Sequence, residues 1–175
     1  NATKGGLGIF SHEIEPGLMI LALAVVNSWG DVVDPDTGRI VAGPRDKKRT
    51  GFINTMDSMV NPESALDPNE IGPGNNTTIG ILITNADLDK SQANKLAGRG
   101  QDGIALAVRP AHTMADGDTV FTLATGTWGG ETDRKLLTKI GSIAAVVMSK
   151  AIVRAVSNAD GLAGVPSVKE LGVGS

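Results

Sequence analysis

The chain has 175 residues, enough for one domain with a real core, and its 41% apolar and 20% charged content is that of a globular protein rather than a disordered one. A net charge of −3, scattered Lys and Arg and only 3% aromatics argue against a nucleic-acid groove, and the absence of Cys excludes disulfides and thiolate sites. The apolar run from Gly17 to Val26 falls far short of the roughly 20 residues of a membrane helix, so no membrane partner is expected.

Gly6 to Ile14 and Leu18 to Val26 read as strands joined by a turn at Glu15-Pro16-Gly17, the second apolar enough to be buried on both faces. Asp34-Pro35-Asp36-Thr37-Gly38 is a turn, and Arg39 to Ala42 a short strand. Residues 43–76 are polar and rich in Pro, Asn and Asp. They read as a solvent-exposed linker with one short helix around Phe52 to Met59. Thr77 to Thr84 alternates and is β-branched, which predicts a strand. Asp87 or Asp89 can cap a helix from about Lys90 to Val108, weakened by Gly98, Gly100 and Gly103. Thr119 to Ala124 is a further strand, and Asp133 to Ser157 the clearest helix, with Leu136, Ile140, Ala144, Val147 and Ile152 at helical spacing. The Gly-rich tail after Asn158 is expected to be loosely held. Strands alternating with helices predict a layered α/β or α+β domain.

The stretch Gly74-Asn75-Asn76-Thr77-Thr78-Ile79-Gly80 brings a flexible linker to a hydroxyl residue that opens a buried strand. An N-terminal nucleophile requires that order. The Thr hydroxyl attacks the carbonyl of the preceding residue, and the freed α-amine, with a pKa of about 8, then acts as the hydroxyl's base. Thr also opens many strands with no such role. Asp116-Gly117-Asp118 precedes a strand, so its carboxylates share a face and could hold an amine, or the motif could be a plain Asp-Gly turn. Asn27 ends the apolar strand, where its amide could donate to an oxyanion or simply close the strand.

Taken together, Lys4-Gly5-Gly6-Leu7-Gly8, Val25-Val26-Asn27 with Gly30-Asp31-Val32-Val33-Asp34, Gly74 through Gly80, and Pro110-Ala111-His112-Thr113 followed by Asp116-Gly117-Asp118-Thr119-Val120-Phe121 resemble one family. It is the self-processing family of the L-aminopeptidase/D-esterase, the β-peptidyl aminopeptidases and the nylon-oligomer hydrolases. The resemblance implies a four-layer αββα sandwich and autocleavage between Asn76 and Thr77. Residues 1–76 would then close the larger fragment, and residues 77–175 would be the smaller one. It implies Thr77 as nucleophile, Asp116 and Asp118 as the acidic pair beside it, and Asn27 on the oxyanion side. The Ser-using branches carry Ser at the Thr77 position, so this chain sides with the Thr branch. It also implies a longer N-terminal section of the same precursor that supplies further pocket residues, and a homo-oligomer of αβ units.

No cofactor or metal is expected, and the location is expected to be cytoplasmic. His112 is assigned a hydrogen-bonding role, since His12 is the only other His. The turn at Asp34 lacks the downstream Glu of a calcium loop, and Gly72-Pro73-Gly74 precedes a strand rather than a phosphate-binding helix. The expected activity is hydrolysis of linear amides, 6-aminohexanoate oligomers first. L-aminopeptidase/D-esterase or β-peptidyl aminopeptidase action is the alternative, and an uncleaved binding or assembly protein is the rival from another class.

Overall fold

The computed structural model describes residues 2–46, 51–61 and 76–172. Strands β1 (Leu7–Glu15) and β2 (Leu18–Asn27) form a hairpin whose turn rests on Gly17, at φ 77°. Two short strands follow, β3 (Asp31–Val33) and β4 (Ile40–Ala42), then the short helix α1 (Thr55–Val60). Strand β5 (Thr77–Thr84) leads through helix α2 (Lys90–Ala107) to β6 (Val108–Arg109) and β7 (Thr119–Ala124). Helix α3 (Arg134–Ser157) and a last turn of helix, α4 (Val168–Leu171), end the described chain.

The main sheet has the order β1-β2-β5-β7, antiparallel except for the parallel β5–β7 pair. Helices α2 and α3 cover one face. Asp89 caps α2 through a reciprocal box with Gln92, and Asp133 caps α3. The period-2 pattern of β2 delivers Leu18, Ile20, Ala22, Ala24 and Val26 to the helices, where they meet Ile104, Ile140, Met148 and Ile152. Each such fully buried side chain stabilises the fold by about 1.5–3 kcal/mol. Two glycines expected to weaken α2 turn out to be its contact surface. A Cβ at Gly103 would lie 2.6 Å from the Ala145 carbonyl oxygen, and one at Gly100 2.6 Å from Val120. Backbone proximity between helix and core outweighs the propensity cost of about 1 kcal/mol per Gly. Helix α3 has the length and hydropathy of a membrane span, but its buried side is this core.

The opposite face of the sheet is apolar and open among the described residues. Ile9, Val25, Ile79, Phe121 and Leu123 are between 42% and 58% exposed. Among the described residues, strand β2 is therefore covered on one face, not on both as its composition suggested. The mixed α/β class agrees with expectation, and the described residues supply one helix layer and one large sheet of the four layers anticipated.

Three further expectations change. Strands β3, β4 and β6 form a small second sheet, of which β3 and β6 are too short to show periodicity in the sequence. The linker is tied down at Gly43, Pro44, Ile53 and Thr55, with residues 47–50 outside the described ones. The Thr3 hydroxyl donates to the Gly43 carbonyl at 2.7 Å, Ile53 N–H to Pro44, and Thr55 is fully buried. The rest of that linker, residues 62–75, lies outside the described residues. The tail is not loose as far as Gly172. Ser167 caps α4 in a second reciprocal box with Glu170, and Val168 is buried.

Candidate active site

Thr77 is the first residue of β5, and its Cα partner across the antiparallel pair is Asn27, the last residue of β2. Directly opposed residues carry their Cβ atoms about 5 Å apart on one face. Two residues fifty positions apart are thus neighbours at one end of the open apolar face. The Thr77 hydroxyl donates to the carbonyl oxygen of Asn76 at 2.6 Å, so hydroxyl and preceding carbonyl lie against one another.

The parallel β5–β7 pairing runs on past the end of both strands. Asn76 bridges Asp116, and the Gly117 N–H donates to the Asn76 carbonyl at 2.9 Å. Alternation places Gly117 on the same side as Thr77, where a Cβ would come 3.0 Å from the Thr77 hydroxyl. A side chain there would press on that hydroxyl.

The two carboxylates are held by neighbouring donors. Asp116 accepts through Oδ2 from the Thr113 N–H at 3.1 Å and the Thr113 hydroxyl at 2.6 Å. The side chain of Asp118 is almost completely buried. Its Oδ1 accepts from the Thr78 N–H at 2.8 Å, and its Oδ2 lies 2.9 Å from Nδ1 of His112. The carboxylate therefore grips the backbone immediately after Thr77. His112 has the hydrogen-bonding role assigned to it, with Nε2 3.2 Å from the Gln101 carbonyl. Its backbone is left-handed, at φ 56°, uncommon for a non-Gly residue. Gly30 makes room for the chain leading there, since a Cβ would sit 2.2 Å from the Pro110 carbonyl.

Asp31, next to Gly30, escaped notice as a functional residue. It is buried on β3, accepting through Oδ2 from the Thr55 N–H at 2.7 Å and through Oδ1 from the Thr55 hydroxyl at 2.8 Å. Desolvation pushes its pKa up to about 6, against the lowering effect of the Thr55 bonds. It anchors the start of α1, on the segment that leads towards Asn76. A carboxylate inside the otherwise apolar Asp31-Val32-Val33 was the signal available in the sequence. Gly117, Thr113 and Gln101 were also missed, since they act through backbone groups or through their neighbours.

The remaining candidates fall elsewhere. Asp34 to Gly38 is a turn closed on the Asp34 carboxylate by the Asp36 N–H and the Thr37 hydroxyl. His12 lies on β1, exposed. A cleft of about 370 Å³ between α2 and α3, lined by Leu96, Arg99, Arg134 and Leu137 among others, contains none of the candidate residues. Among the described residues no group of three or more His, Asp or Glu is placed to hold a metal ion.

The family model for Peptidase family S58 matches residues 1–169. An uncharacterized aminopeptidase of Mycobacterium leprae is 35% identical over 184 residues, covering 94% of this chain and 47% of that protein. A 6-aminohexanoate-oligomer endohydrolase of Paenarthrobacter ureafaciens is 30% identical over 144 residues, covering 78% of this chain and 40% of that protein. The chain spans about half the length, or less, of these relatives. The solved L-aminopeptidase D-Ala-esterase/amidase of Ochrobactrum anthropi, a variant of the Ntn-hydrolase fold, superposes with a TM-score of 0.59 at 19% identity, covering 94% of this chain and 43% of that one.

Proposed function

The chain belongs to peptidase family S58, and on that premise we propose that it carries the centre of a self-cleaving amidohydrolase with Thr77 as its N-terminal nucleophile. One observation carries the reading: the Thr77 hydroxyl sits 2.6 Å from the carbonyl oxygen of the preceding residue, at the point where the chain enters the sheet. Cleavage there frees an α-amine on Thr77, which takes the hydroxyl proton as general base when the nucleophile attacks a substrate carbonyl. Asn27, across the strand pair, donates to the oxyanion that forms. Asp116 and Asp118 fix the backbone around the nucleophile and favour a protonated amine between catalytic steps.

A further section of the same precursor covers the open face and completes the pocket. The apolar residues exposed there beside Asn27 and Thr77 support this. Such a pocket suits an extended, largely aliphatic chain with regular amides. Linear 6-aminohexanoate oligomers fit that description, and the resemblance to the endohydrolase supports them as substrates. The higher identity to the aminopeptidase of Mycobacterium leprae favours a second reading, removal of N-terminal aminoacyl groups. Parallel kinetics of the full-length protein on 6-aminohexanoate oligomers and on L- and β-aminoacyl p-nitroanilides separate the two. Release of shorter oligomers supports the first. A kcat/KM clearly favouring the p-nitroanilides, with no oligomer cleavage, assigns the second, and no turnover of either class by a processed protein contradicts both.

A further inference from the structure

The group facing the scissile carbonyl is a backbone amide. We infer that the N–H of Gly117 is the oxyanion donor for self-cleavage at Asn76–Thr77, an inference that rests on the self-cleavage proposed above. The Gly117 N–H donates to the Asn76 carbonyl oxygen at 2.9 Å, so a donor is already aimed at the atom on which negative charge develops. The same oxygen accepts from the Thr77 hydroxyl, so nucleophile, scissile carbonyl and donor already form one contiguous cluster in the uncut chain.

The reaction then runs with little rearrangement. Thr77 Oγ1 bonds to the Asn76 carbonyl carbon, and the π pair moves onto the oxygen held by Gly117. The C–N bond breaks with its electrons on the Thr77 nitrogen, which takes up the proton lost from Oγ1. Water hydrolyses the resulting ester, restoring the Thr77 hydroxyl and leaving Asn76 with a carboxylate.

The peptide plane of Gly117 is braced on both sides. Asp116 is tied to Thr113, Asp118 to Thr78 and His112, and the Gly117 carbonyl accepts from the Thr119 hydroxyl at 3.2 Å. A donor so braced needs no reorganisation as charge develops. The same closeness explains the Gly between two Asp residues, because a methyl group would crowd the attacking oxygen. In this account the acidic pair acts in maturation by positioning a main-chain dipole.

The test replaces Gly117 with glycolate in the full-length precursor, exchanging the amide N–H for an ester oxygen without adding a side chain. The rate of appearance of the fragment beginning at Thr77 is followed beside wild type and Thr77→Ala. Slowing by about a hundredfold or more is expected, the usual cost of losing one oxyanion donor. Slowing of less than about tenfold, with wild type processed normally, overturns the role of Gly117 and leaves self-cleavage standing. A wild type that never cuts overturns self-cleavage itself. A readout that needs no change at Gly117 is the NMR coupling across the hydrogen bond from the Gly117 nitrogen to the Asn76 carbonyl carbon in uncut Thr77→Ala. The coupling is expected, and its absence overturns the inference even if the ester variant fails to fold.

Discussion

Replacing Asp31 by Asn in the uncut Thr77→Ala precursor removes a buried titration while keeping the shape of the side chain. In the native protein Asp31 accepts twice from Thr55. Asn can accept from the Thr55 N–H and donate to the Thr55 hydroxyl, so both bonds survive. Burial raises the Asp31 pKa from 3.8 to about 6. The folded state therefore favours the neutral carboxyl. That contribution is present in full below pH 3.8 and is lost as pH rises through about 6. At about 1.4 kcal/mol per pH unit, the gap corresponds to about 3 kcal/mol. Urea unfolding of both proteins across that range isolates the effect, since carboxylates that do not interact with Asp31 cancel in the difference. The two should be nearly equal in stability below pH 3.8, and the Asn variant should gain about 3 kcal/mol on the Asp protein by neutral pH. A difference that stays flat across the range would refute the assignment of a neutral-favouring buried site.

Asn27→Ala should lower kcat about 10²–10³-fold with a smaller effect on KM, because an oxyanion donor acts on charge formed in the transition state; steady-state kinetics showing a change confined to KM would instead make Asn27 a substrate-binding residue. Asp116→Ala should lower kcat by at least about a hundredfold, and a near-normal rate would reduce Asp116 to a turn residue. Asp118→Ala should in addition cost about 1–3 kcal/mol of stability, since it leaves the Thr78 N–H without its acceptor; thermal unfolding indistinguishable from wild type would contradict the buried bond.

Much of this architecture was legible because it rests on side-chain pattern. The alternation of Thr77 to Thr84, the cap at Asp89 and the apolar stripe of α3 all reappear in the fold. Patterns fail where structure depends on something other than side-chain period. Val108–Arg109 is too short to alternate, yet it pairs with β3. Gly103 reads as a weak point in a helix until the helix packed against it is known. The continuous apolar run of β2 does not tell which of its two faces the helices cover. At the site, Asn27 and Thr77 could be named from motif order, but their adjacency follows from strand register, which no single segment encodes. The Gly117 amide acts through the main chain, so its residue type announces nothing, and Asp31 shows only as a carboxylate inside an apolar strand.

The proposed self-cleavage makes Thr77 a free N-terminus by cutting the chain behind it. Intact mass spectrometry of the full-length protein, purified as wild type and as Thr77→Ala, measures this directly. Self-cleavage gives two wild-type masses that meet at the Asn76–Thr77 bond, the smaller fragment carrying a free α-amine, and a single uncut mass for Thr77→Ala. An intact wild-type chain after long incubation, or a cut at another bond that persists in Thr77→Ala, would contradict it.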